Sequence, residues 1–89
     1  MLTREGDQLK VAGPLNIGSV TTLLTQSGGM LAGVTVVDLG GVTEVDSAAV
    51  SLLLEWRRQA QNPALHFSNL PAALKSLADL YGVTDLIPQ

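Results

Sequence analysis

The spacing of apolar positions changes several times along this chain, and each change marks an element. Leu2–Glu5 and Gln8–Val11 are short runs on either side of Gly6-Asp7, the pattern of an edge hairpin. Gly13-Pro14 ends that unit. Asn16 then caps a helix whose apolar positions Ile17, Val20, Leu23 and Leu24 fall at helical spacing. Gly18, Ser19, Thr21 and Thr22 are poor helix formers, so this helix depends on packing, and Gly28-Gly29 stops it. The nearly continuous run from Val34 to Leu39 is rich in β-branched residues, which suits a central strand covered on both faces. Gly40-Gly41 breaks it, and Val42-Thr43-Glu44-Val45 adds a short extended step.

The strongest periodicity runs from Ser47 to about Gln61. Ala49, Leu52, Leu53, Trp56 and Ala60 form one apolar stripe, while Ser47, Ser51, Glu55 and Arg58 form a polar one. Asn62-Pro63 ends this helix, and Leu65–Asn69 alternates as a strand. Pro71 opens a last helix with the stripe Leu74, Leu77, Ala78 and Tyr81, and Gly82 stops it. In the tail from Val83 to Gln89, Leu86 and Ile87 fold back on the core. Strands alternating with helices predict an α/β sandwich with a mixed sheet of about four strands and three helices.

Composition narrows the function. Eighty-nine residues make a single domain, and 46% hydrophobic content is consumed by its core, which leaves little for a deep substrate cavity. There is no cysteine and one histidine, His66, so disulfide frameworks and thiolate or multi-histidine metal sites are excluded. A net charge of −3 with five scattered basic residues argues against nucleic acid as a partner. The amino-terminal residues lack the layout of a signal peptide, and no apolar run approaches the ~18 residues of a membrane span. A cytoplasmic protein with no direct membrane insertion is the expectation.

Candidate chemistry is sparse. Ser47, Asp46 and His66 supply the residue types of a triad, but Gly-x-Ser-x-Gly is missing and His66 falls on a strand. Gly40-Gly41 follows a strand as a phosphate loop would, yet no Lys-Ser/Thr pair follows at the required spacing. Asp38, Glu44 and Asp46 read as turn and cap acids rather than as a cation site, and Trp56 as a packing residue. No catalysis, cofactor or metal is expected. The Asp46-Ser47 pair remains: it stands at the start of the apolar helix, where it either caps the helix or receives a partner or a phosphate.

The block Asp38-Leu39-Gly40-Gly41-Val42-Thr43-Glu44-Val45-Asp46-Ser47-Ala48-Ala49-Val50, followed by Leu52-Leu53-Leu54, resembles the signature of the STAS domain family, shared by sulfate transporters and anti-sigma-factor antagonists. Strand and helix order agree over nearly the whole chain. Leu52-Leu53-Leu54-Glu55-Trp56 and the ending from Leu77 to Pro88 are most similar to the MlaB-like subunits of a bacterial phospholipid ABC transporter. The resemblance implies a non-catalytic accessory, peripheral to the inner membrane, that binds the transporter's ATPase subunit and serves outer-membrane lipid asymmetry. It implies that Ser47 is a partner-contact residue; Asp46 stands beside it, and Ser51 and Glu55, at i+4 and i+8 on the same helical face, are expected to extend that surface. The other function it implies is an antagonist switched by phosphorylation at Ser47. Ala48-Ala49 departs from the Ser-Gly or Gly-Gly frequent in antagonists, which removes the closest backbone approach at this turn and favours the transporter function.

Overall fold

In the computed structural model, which describes residues 2–62 and 64–87, strands β1 (Leu2–Glu5), β2 (Gln8–Leu15), β3 (Val36–Val45) and β4 (His66–Ser68) form one sheet in the order β1-β2-β3-β4. β1 and β2 are an antiparallel hairpin turning at Gly6, whose φ of 60° is open to glycine at no steric cost. β2 pairs parallel with β3, and β3 with β4. Helices α1 (Val20–Ser27), α2 (Ser47–Ala60) and α3 (Ala72–Leu80) follow the strands, and a 3₁₀ turn spans Thr84–Leu86. This is the mixed α/β sheet with three helices that the periodicity predicts, with β3 in its interior.

The helices bury one face of the sheet. Leu9, Val11 and Leu15 of β2, Val37 and Leu39 of β3, and Phe67 of β4 join Leu23, Leu74 and the α2 stripe Ala49, Leu52, Leu53 and Trp56 in one cluster. Trp56 is 0% exposed, and its indole N–H donates to the Ser27 hydroxyl at 2.8 Å. The expectation of a β3 covered on both faces is corrected here. Val36 and Asp38 point to the outer face and are only half-buried, because that face is polar and carries exposed Lys10 and His66 alongside.

Other boundaries also move. Gly40-Gly41 does not break β3, which runs on to Val45, nor does Gly13-Pro14 end β2, which runs to Leu15. A Cβ on Gly41 would lie 2.9 Å from the Ala12 Cβ and 3.1 Å from the Val11 carbonyl oxygen. The glycine therefore lets β2 and β3 approach at a register shift between Lys10 and Ala12. β1 pairs with β2 only as far as Val11, so Pro14, without an N–H, lies beyond the hairpin ladder. The α1 helix begins at Val20 rather than at Asn16, since the Asn16 side chain accepts from Gly18 N–H at 2.9 Å and closes a separate turn.

The α2 helix ends at Ala60 and is capped by Gln61, in the left-handed conformation at φ 49°. Pro63, half of the Asn62-Pro63 stop, lies outside the described residues, as do Met1 and the Pro88-Gln89 end of the tail. Pro71 precedes α3 and Gly82 follows it at φ 69°, as the sequence implies. Three apolar positions assigned to the core are exposed instead: Ile17 in the turn before α1, Tyr81, which caps the end of α3, and Leu86, while Ile87 is buried.

Candidate functional site

Asp46 leaves β3 in extended conformation and caps α2, its carboxylate Oδ1 accepting the Ala48 N–H at 2.8 Å. The Asp46 N–H donates to the Leu15 carbonyl at 3.2 Å, so the last pair of the β2/β3 ladder sets the position of the helix start. Capping thus falls to Asp46, which leaves the exposed Ser47 hydroxyl on the first residue of α2 free of that task. Ser51 is exposed one turn further on, whereas Ala49, Val50, Leu52 and Leu53 point inward.

Beside these serines lies an open groove of about 790 Å³, lined by Ile17, Val20, Asp46, Ser47, Ala48, Val50, Ser51, Leu54, Tyr81 and Val83. Its walls are the turn before α1, the outer face of α2, and the segment after α3. Ile17 is 81% exposed and Tyr81 51% exposed, so large apolar surface flanks the serines. Asp46, Ser47 and Ser51 come together here. Glu55 shares their helical face but does not line the groove; it turns to the Arg58 guanidinium, whose Nε donates to it at 2.8 Å. That hydrogen bond holds the Glu55 carboxyl below its usual range and raises Arg58 above its own.

The other candidate groups are dispersed. His66 lies exposed on edge strand β4. Asp38 accepts from Gly40 N–H and Asn69 Nδ2, both at 2.9 Å, and these bonds, Asn69 first, lower its pKa. Glu44 accepts from Asn16 Nδ2 at 2.6 Å. Among the described residues no group of acids and histidines is arranged to hold a metal ion, and no helix is long and apolar enough to cross a membrane.

Sequence reasoning missed Ile17, Leu54, Tyr81 and Val83 as site residues. Ile17 and Tyr81 fit helical stripes, and the signals against burial were local: Gly18-Ser19 directly after Ile17, and Gly82 directly after Tyr81.

Comparison with known proteins agrees with this architecture. No curated protein matches the chain at a significant level. Among solved structures, it is similar to one described as "Structure of the Anti-Sigma Factor Antagonist SpoIIAA in its Unphosphorylated Form", with a TM-score of 0.69 and 16% identity, over 98% of this chain and 84% of that one. At that identity the likeness shows a shared fold. The family profile described as "Mlab, STAS domain" matches residues 1–88, and the chain belongs to that STAS domain family.

Proposed function

We propose that this protein is a non-catalytic docking subunit that binds the ATPase of a phospholipid ABC transporter and regulates or stabilises it, from the cytoplasmic side of the inner membrane. The contact surface is the Ser47/Ser51 face of α2, with Asp46 at its head, Glu55 at its far end and the apolar groove alongside. The observation that carries this reading is the exposure of Ile17 and Tyr81 on either side of Ser47 and Ser51. Exposed large apolar side chains around a small polar centre suit a protein partner, because they are removed from water only when something covers them. Membership in the family described as "Mlab, STAS domain" supports the choice of partner. The same surface, with an uncommitted Ser47 hydroxyl at a helix start, also supports an antagonist that binds a kinase and is switched by phosphate at Ser47.

Ser47→Glu tests the surface. A carboxylate in the first turn of α2 is compatible with the helix dipole, so the variant keeps the parent's stability to within about 0.5 kcal/mol. Binding to the purified ATPase subunit, measured by calorimetry, should weaken by roughly tenfold or more. A Ser47→Glu variant and a Ser47→Ala variant that both bind like the parent would remove Ser47 from the interface. Binding to an anti-sigma kinase in place of the ATPase would select the antagonist.

A further inference from the structure

We infer that Asp46 is a positioning residue: its carboxylate clasps the turn that carries Ile17 to the start of α2, and partner binding at the groove depends on that clasp. The second half rests on the docking function proposed above; the first half does not. The two carboxylate oxygens serve opposite walls. Oδ1 accepts the Ala48 N–H at 2.8 Å, and Oδ2 accepts the Ile17 N–H at 3.0 Å, across 29 positions of sequence. A helix cap needs one acceptor, and Ser, Thr or Asn supplies it as well as Asp. Accepting two separate backbone N–H groups, one on each oxygen, is a task that among these cap residues only a carboxylate performs, since it has two acceptor atoms and no donor.

The rest of the turn is held by the Ser19 hydroxyl, which accepts the Asn16 N–H at 3.0 Å and donates to the Pro14 carbonyl at 2.8 Å, and by Asn16. Its Nδ2 donates to Glu44 at 2.6 Å, its Oδ1 accepts from Gly18, and its carbonyl accepts from the N–H groups of Ser19 and Val20, both at 3.0 Å. Those bonds close the turn and tie it to the end of β3. The bond from Ile17 itself is the one that crosses to the cap of α2. Ile17 places 81% of its surface in water, apolar area that contributes free energy only when a partner covers it. An apolar anchor on a loose turn loses conformational freedom when it docks, whereas one already held in place does not, and this preorganisation is what the clasp supplies.

Asp46→Asn separates the clasp from the cap, because asparagine caps a helix about as well but has a single acceptor oxygen. Amide exchange measured by NMR on the full chain should show the Ile17 N–H exchanging roughly tenfold faster, with Ala48 still protected. Unchanged exchange at Ile17, including a loss confined to Ala48, overturns the clasp. Calorimetry with the ATPase subunit then compares Asp46→Asn, Ile17→Ala and the double variant. Each single change should weaken binding by roughly fivefold or more, and the double variant should bind no more weakly than Ile17→Ala alone. Additive losses, or parent-like binding by Asp46→Asn, overturn the dependence. If the parent itself does not bind the ATPase, the docking function and the dependence fall together, and the exchange at Ile17 alone decides the clasp.

Discussion

Replacing Ser27 by alanine removes one oxygen and should cost far more than its size suggests. Ser27 is buried in the core, 0% exposed, at the end of α1. Its hydroxyl accepts the Trp56 indole N–H at 2.8 Å and donates to the Leu24 carbonyl at 3.1 Å. Trp56 is equally buried, so in Ser27→Ala its N–H faces apolar side chains with no acceptor and no water. An orphaned buried donor costs about 1–3 kcal/mol. In a domain of this size each 1 kcal/mol lowers the melting temperature by roughly 4–8 °C, so a fall on the order of 5–20 °C is expected. Circular dichroism melts and urea titrations measure it. The same substitution in the Trp56→Phe background, where the donor is gone, should cost at least ~1 kcal/mol less, and the difference is the coupling between the two side chains. Equal losses in both backgrounds, or a loss under about 0.5 kcal/mol in the parent, would falsify the claim that Ser27 is retained to satisfy the indole.

Two further outcomes follow from the sheet. Gly41→Ala places a Cβ 2.9 Å from the Ala12 Cβ and should destabilise the chain by about 1–3 kcal/mol in chemical denaturation, whereas an unchanged midpoint would mean that β2 and β3 do not approach as closely as described. The Asp38 carboxyl, its pKa lowered by bonds from Asn69 and Gly40, contributes stability that is present above its unfolded value and is lost as pH falls through the lower folded value. Its partial exposure keeps that contribution small, so the direct check is an NMR titration in which Asn69→Ala moves the Asp38 midpoint upward.

What could be read from the sequence was whatever depended on neighbours a few positions apart. The α2 stripe from Ala49 to Trp56 has an unbroken helical period, and burial follows it residue by residue. Asp46-Ser47 was located because cap residues stand beside the helix they serve. Gly40-Gly41 was misread because a glycine pair looks the same whether it ends a strand or admits a neighbour, and the neighbour here is Ala12, almost thirty positions away. Ile17 and Tyr81 were placed in the core because each continues a stripe, although the Asn16–Gly18 turn delays α1 and α3 ends before Tyr81. The groove was invisible for the same reason as Gly41: its walls come from three separate stretches of chain.

The parallel ladder between β2 and β3 runs from Gln8↔Val36 to Leu15↔Val45, and it cannot close until the chain has crossed over through α1. Two of the three walls of the groove begin just past its far end, Ile17 two residues after Leu15, and Asp46 directly after Val45. A chain that has zipped only the near end holds those walls apart. Under the docking function proposed above, a partner that touched both of them would read the completion of folding along with the identity of the surface.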